Sequence, residues 1–195
     1  MPPGDSIPVL IIVSGPPCVG KTTLALRLAA AFSLPLMTKD MLKETLYDSL
    51  GWSDRAWSRR LGHAAMELLF LFAEAQLAAG ESCIIEANFD PLLATPALLR
   101  LCRRHPCEPI QIQCRADPVV LSARFRERAR SSERHPGHQD YTAEGEEFAA
   151  SIPGRLGNLP IGGELIELDM TDLAAVDYEA LYAQVKRAWI ASSGE

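Results

Sequence analysis

The stretch VSGPPCVGKTTLALRLAAAF, residues 13–32, sets the reading of the rest of the chain. Gly15, Pro16, Pro17, Cys18, Val19, Gly20, Lys21 and Thr22 fit the pattern G-x-x-x-x-G-K-[ST]. Ahead of the pattern, Pro8 to Ser14 reads as a buried strand. Behind it, Gly20 to Phe32 reads as a helix with Leu24, Leu28, Ala31 and Phe32 on one face. Such a strand–loop–helix unit can hold an anion. The glycines let the backbone bend until successive N–H groups point inward, and the helix N-terminus adds its positive dipole end. Lys21 is then placed to reach the β- and γ-phosphates of a nucleotide, and the Thr22 hydroxyl to ligate Mg²⁺.

Outward from the loop, short β-branched runs alternate with longer helical ones. Leu34 to Thr38 reads as a second strand and Asp40 to Leu50 as a helix. Ser53 to Ala79 reads as a long helix, with Trp57, Leu61, Ala64, Ala65, Leu68 and Phe72 at three-and-four spacing and Gly80 ending it. Ser82 to Ala87 and Pro109 to Arg115 read as strands, each followed by a helix, Pro91 to Arg104 and Pro118 to Arg130. A helix from Thr142 to Ser151, a Pro/Gly-rich turn, a strand from Glu164 to Met170 and a helix from Ala175 to Ala191 complete the chain. Strands that are apolar along their whole length and separated by helices point to a parallel sheet covered on both faces. With 195 residues and no convincing linker, residues 1–195 read as a single domain.

Composition narrows the function classes. Hydrophobic residues make up 48% and charged residues 23%, an ordinary globular balance. The apolar run Ile7 to Val13 has no basic flank and is too short for a bilayer, so neither a signal peptide nor a membrane span is read. Five cysteines, none in a CxxC pair, suggest reduced thiols in a cytoplasmic protein and support no thiolate metal site. The net charge of −6 argues against a general nucleic-acid coat. Nine arginines stand against four acids from Arg100 to Arg134, whereas eleven acids stand against three cations from His135 onward. A cationic arm on an acidic protein suits a small anionic ligand better than a long polyanion, which disfavours nucleic acid as a partner without excluding it. Arg100, Arg103 and Arg104 read as a solvated helix face.

A nucleotide loop leaves three options: hydrolysis with a switch, hydrolysis with mechanical work, or phosphoryl transfer. Motor and AAA+ modules need sensor elements and extra helices that 195 residues do not obviously hold, and a GTPase would need an N-K-x-D that is missing. Transfer remains.

Four segments together resemble the small P-loop kinases: the Gly15 to Thr22 loop, TKD ending at Asp40, IIEANF from Ile84 to Phe89, and ARFRERARSSERHPGH from Ala123 to His138. That group holds shikimate and gluconate kinases, chloramphenicol phosphotransferase, zeta toxins and the kinase domain of polynucleotide kinases. The resemblance runs from about Val9 to Thr171. It implies a three-layer αβα P-loop NTPase fold with a five-stranded parallel sheet, an acceptor-binding insertion over about 40–80 and an arginine-bearing lid over about 124–142. It also implies an enzyme, an ATP-dependent kinase using Mg²⁺.

On this resemblance the nucleotide is held by Gly15, Pro16, Pro17, Cys18, Val19, Gly20, Lys21, Thr22 and Thr23, with Arg124 near the adenine or its phosphates. Asp40, just beyond the second strand, would orient or deprotonate an acceptor hydroxyl; Thr38 or Asp40 could equally cap the following helix. Glu86 ends a strand as a Walker-B acid does and would order Mg²⁺ with Thr22 or contact the acceptor. The family more often has Asp there. Asn88 and Phe89 could hydrogen-bond and stack an acceptor, though Asn88 before Asp90-Pro91 also suits a turn. Arg55 and Arg59, with Trp52, Trp57 and His63, lie where such kinases bind the acceptor. Arg128 and Arg134 are the expected lid cations, and Pro136-Gly137 gives the lid a turn. Asp169 and Thr171 match the segment that passes the adenine, while His135 and His138 make a poor metal site.

The expected activity is ATP- and Mg²⁺-dependent transfer of the γ-phosphate to a hydroxyl of a small molecule. Two alternatives stand beside it: a nucleotide or nucleic-acid 5′-hydroxyl acceptor, and a nucleotide-binding regulatory or toxin-like module.

Overall fold

A computed structural model describes residues 7–131, 135–138 and 157–192. Arg134 and the helix expected over Thr142 to Ser151 lie outside the described residues. The strands are β1 (Val9–Ser14), β2 (Leu36–Thr38), β3 (Cys83–Glu86), β4 (Glu108–Arg115) and β5 (Glu164–Asp169). They form one five-stranded sheet in the order β2-β3-β1-β4-β5, and every pairing is parallel. The described helices are α1 (Lys21–Phe32), α2 (Lys39–Leu50), α3 (Arg55–Ala78), α4 (Pro91–Arg104), α5 (Pro118–Arg130) and α6 (Tyr178–Ser192), with a single 3₁₀ turn at Pro136–His138.

β1 explains the layering. All six of its residues are buried, and successive side chains of a strand point to opposite faces. Val9, Ile11 and Val13 meet Leu24 and Leu28 of α1, Leu121 and Phe125 of α5, and Leu181 and Val185 of α6. Leu10 and Ile12 meet Leu69, Ala73 and Leu77 of α3 and Ala94, Leu98 and Leu101 of α4. Each aliphatic side chain taken fully out of water stabilises the fold by about 1.5–3 kcal/mol, so two separate apolar faces fix helices on both sides of the sheet. The result is the three-layer αβα P-loop NTPase fold. No described helix is long and apolar enough to cross a membrane.

Local chemistry sets the helix starts. Asp54, Asp90 and Asp117 accept hydrogen bonds from the amides of Trp57, Leu92 and Val119, and prolines at the first turns of α4 and α5 fit a position that has no helical N–H partner. Asp177 accepts from Ala180 N at 2.9 Å, which is why α6 starts at Tyr178 rather than at Ala175.

Two helix faces differ from those read in the sequence. In α1 the buried residues are Lys21, Leu24, Ala25 and Leu28, while Ala31 is exposed. In α3 the buried stripe is Ser58, Leu61, Gly62, Ala65, Leu69, Ala73 and Leu77; Ala64 and Leu68 are exposed, and Trp57 and Phe72 are half-buried. The α3 sequence is apolar on more than one face, so periodicity alone could not choose the stripe. Packing against α2 selected the small residues Ser58 and Gly62 instead.

The chain leaves β1 for the β2–β3 side and returns to β4 on its other flank. In such a sheet the crevice outside the carboxyl ends of the central strands is where ligands bind. Gly15 makes the turn out of β1 there. Its φ is +146°, and a Cβ added to it would lie 2.5 Å from the Cys114 carbonyl oxygen. Gly51 also has a positive φ, +77°, but nothing lies within 4 Å of an added Cβ. Gly51→Ala should therefore cost about 1 kcal/mol of unfolding free energy and Gly15→Ala well above 2 kcal/mol, measured by urea denaturation. Equal losses would mean that the close approach to Cys114 is unimportant.

Candidate active site

The carboxyl ends of β1, β2 and β3 bring the phosphate-loop pattern, Asp40 and Glu86 to one edge of the sheet. Gly20, at φ +103°, precedes the first residue of α1, and Cys18 is held left-handed at φ +63°, so the loop curls over its own amides. Lys21 opens the helix and is buried, with 6% of its surface exposed. Its Nζ donates to the Pro16 carbonyl at 2.8 Å and lies 3.9 Å from Glu86 Oε1. The Thr22 hydroxyl donates to Glu86 Oε2 at 2.9 Å. Lys21, Thr22 and Glu86 thus form one polar cluster, and Thr23 follows on the exposed side of the first turn.

Burial dominates the electrostatics of this cluster. It lowers the pKa of Lys21 from its ordinary value, against the opposing pull of the Glu86 charge. It raises that of Glu86, against the Lys21 charge and the Thr22 hydrogen bond, while Asp40 adds a further upward push. Both groups would gain from a partner that supplies charge and hydrogen bonds without water, as a phosphate–metal pair does.

Asp40 sits at the second position of α2. The cap of that helix is Thr38, whose hydroxyl accepts from Met41 N at 3.1 Å, so the Asp40 carboxylate is left to face the crevice. There Asp40 Oδ2 accepts from Arg128 Nη2 at 3.2 Å, and Arg128 Nη1 reaches Cys18 Sγ at 3.8 Å. Arg128 therefore spans from the phosphate loop to Asp40, and both side chains stay partly open to solvent. Arg124, one turn earlier on α5, donates from Nη1 to the Met170 carbonyl and from Nη2 to the Thr171 carbonyl, each at 2.9 Å. It ties α5 to the turn after β5. Next to that turn an open groove of about 480 Å³ is lined by Arg115, Ala116, Asp117, Glu167, Leu168, Asp169 and Thr171, and Arg115 pairs with Glu167 across it.

The remaining expected residues separate from this cluster in different ways. Asn88 is exposed at the same sheet edge. Phe89 is 1% exposed and packs in the α3–α4 core with its ring 6.3 Å from that of Phe70, so it cannot stack an acceptor. Arg55 and Arg59 lie on the exposed side of α3. Trp57 is half-buried and donates from Nε1 to the Gly51 carbonyl at 3.0 Å, whereas Trp52 is 46% exposed.

Sequence reasoning missed the contact between α2 and the turn Pro136–His138. Tyr47, 1% exposed, stacks on His135 at 4.9 Å and meets His138 edge-on at 5.3 Å. His135 pairs with Asp48 at 3.2 Å and His138 with Glu44 at 2.8 Å. A Cβ on Gly137 would come within 2.8 Å of the Tyr47 ring, so only glycine allows this approach. On the other side of α2, the Tyr47 hydroxyl and Lys43 Nζ meet Ser58 Oγ at 2.6 and 3.1 Å. For this α2–α3 contact the available signal was the four-residue spacing of Lys43 and Tyr47 facing that of Ser58 and Gly62. Among the described residues no group of three His, Cys, Asp or Glu could hold a metal ion.

These features define a P-loop domain with an acid, an acid-bound hydroxyl, a buried lysine and an arginine converging on one crevice. A solved structure of a "putative kinase" from Chloroflexus aurantiacus J-10-fl is similar over nearly the whole length, with 40% identity, a TM-score of 0.86 and coverage of 93% of this chain and 98% of that one. The chain belongs to the small P-loop kinases, within the family described as an AAA domain, which matches residues 10–143, more than half its length. That family description covers the phosphate-loop core, although length argued against an AAA+ module. The fold is shared with a gluconokinase from Sinorhizobium meliloti at 16% identity, covering 94% of this chain and 95% of that one, TM-score 0.56. It is shared also with a sugar kinase from Janibacter sp. at 18% identity, covering 96% and 99%, TM-score 0.56. No protein of curated function matches the sequence.

A raised carboxyl pKa means that the folded state holds a proton more tightly than the unfolded one, so Glu86 lowers stability as pH rises from its ordinary 4.5 through its folded value. Glu86→Gln removes that dependence while keeping an oxygen for the Thr22 hydroxyl. Urea unfolding across this window should show the wild type losing stability relative to Glu86→Gln as pH rises. Parallel curves would mean that Glu86 is not buried at the cost described.

Proposed function

We propose that the protein transfers the γ-phosphate of ATP to a hydroxyl group of a small molecule, with Mg²⁺ as cofactor. One observation supports the reading: Arg128 reaches both Cys18 in the phosphate loop and Asp40, so the loop and that carboxylate share one crevice.

In the phosphate loop, the backbone N–H groups of Gly15 and of Cys18 to Thr23 would cradle the phosphate chain, and Lys21 would exchange the Pro16 carbonyl for β- and γ-phosphate oxygens. Thr22 and Glu86 fit Mg²⁺, since their oxygens are hard donors already 2.9 Å apart and few enough to leave the other positions to phosphate and water. When bound, Mg²⁺ neutralises charge on the transferring group and its leaving oxygens. Asp40 would accept the proton of the attacking hydroxyl or hold it in line with the γ-phosphate. Arg128, and Arg134 from the lid, would neutralise the equatorial oxygens, planar guanidinium groups being suited to spread charge. Arg124 would keep the Met170–Thr171 turn in place beside the β4–β5 groove, on the side where the base would lie. Asn88, just beyond β3, and Arg55 and Arg59 of α3 would meet the acceptor.

The test is a screen of ATP consumption against sugars, nucleosides, antibiotics and shikimate-like acids, with Asp40→Asn as control. An accepted hydroxyl compound should be phosphorylated by the wild type. Asp40→Asn should lower kcat by about 100-fold or more while the KM for ATP changes little, the size expected of a lost general base. Transfer that survives Asp40→Asn would refute this role.

A further inference from the structure

None of the five cysteines is in a disulfide, and two of them lie together away from the crevice. Cys102, in the last turn of α4, and Cys107, just before β4, have their sulfurs 3.0 Å apart, with the Cys107 thiol donating to Cys102 Sγ. We propose that Cys102 and Cys107 form a redox-active dithiol that small disulfide oxidants of the glutathione type convert to an intramolecular disulfide.

Three observations support this. First, the two sulfurs need to close by only about 1 Å to reach a bond of about 2.05 Å, and the turn between them is stiffened by Pro106, which fixes its own φ. Second, both thiols are half-buried at the rim of the α3–α4 core, while Arg103, Arg104 and Pro106 beside them are exposed, so an oxidant can approach. Cys83 and Cys114, by contrast, have no exposed surface, and burial pushes both thiols up to about 12, which leaves them inert. Third, the turn that carries the two thiols is held in place: Arg104 and His105 both pair with Glu74, and Arg103 donates to the Leu99 carbonyl, while the Glu108 charge beside Cys107 acts on both thiols alike. The Cys107 thiol donates its hydrogen to Cys102 Sγ, which favours negative charge on Cys102 and makes it the attacking sulfur, with Cys107 the resolving one.

The chemistry closes as a thiol–disulfide exchange. Cys102 loses its proton and attacks one sulfur of glutathione disulfide; the S–S bond of the oxidant breaks, and one glutathione leaves with the electron pair and takes up a proton. Cys107 then loses its proton and attacks Cys102 Sγ in the mixed disulfide, and the second glutathione leaves as thiol. One glutathione disulfide is reduced to two thiols as the two protein thiols are oxidised. The new bond would join the end of α4 to the start of β4, at the amino edge of the sheet, opposite the phosphate loop.

The full folded chain can be equilibrated in glutathione buffers of graded thiol-to-disulfide ratio, quenched with acid, alkylated and cut with trypsin. Cleavage after Arg103 and Arg104 separates the cysteines into the peptides Leu101–Arg103 and His105–Arg115, which then stay together only through a disulfide. The joined pair should grow to more than half of the chains in oxidising buffer and vanish again in reducing buffer. Cys114→Ser, which removes the other thiol of the second peptide, should leave it unchanged, and Cys107→Ser should replace it with a glutathione adduct on Cys102. A wild type in which the joined pair never forms before urea is added, or a joined pair that persists in Cys107→Ser, overturns the proposal.

Discussion

The buried pairing of Lys21 with Glu86, bridged at its edge by Thr22, is the interaction on which the rest of the site depends. Removing an ammonium and a carboxylate from water is expensive, and at 3.9 Å their mutual attraction only partly offsets it. The opposed pKa shifts record that imbalance: each group is pushed toward its neutral form by burial and pulled back by the other. A site held in this condition is prepared for a ligand that brings both negative charge and a counter-cation. On the proposed function, Lys21 would exchange the Pro16 carbonyl it now holds for phosphate oxygens.

The sheet makes that cluster possible. Because all five strands run parallel, the loop after β1, the start of α2 after β2 and the end of β3 must emerge at one edge. Thr38 caps α2, and Asp40, two residues on, accepts from Arg128. The turn at Pro136–His138 then reaches back to α2 through Tyr47, so the segment after α5 is tied to the same helix that carries Asp40. Two connections thus run between the α5 arm and α2, one polar at Arg128 and one aromatic at Tyr47.

Much of this was legible in the sequence. The phosphate loop is written in contiguous residues whose backbone demands are local, and continuous apolar strands such as VLIIV can only be covered on both faces. Asp-Pro pairs likewise mark the starts of α4 and α5, because cap and first-turn chemistry are both local. What was not legible depends on partners distant in the chain. The stripe of α3 that faces α2 was hidden by a helix apolar on several sides, and the burial of Phe89 followed from Phe70 arriving from another element. The Tyr47–His135–His138 contact joins residues about ninety apart through ring geometry that no spacing rule encodes. The proximity of Cys102 and Cys107 depends on how the chain turns between α4 and β4.

The proposed activity requires that the loop from Gly15 to Thr22 take up a nucleotide through Lys21. Calorimetric titration of the wild type and of Lys21→Met with Mg·ATP measures this. One site per chain is expected in the wild type, with a loss of about 3 kcal/mol, roughly 100-fold in affinity, in the variant. No binding to the wild type, or equal binding to both proteins, would contradict it.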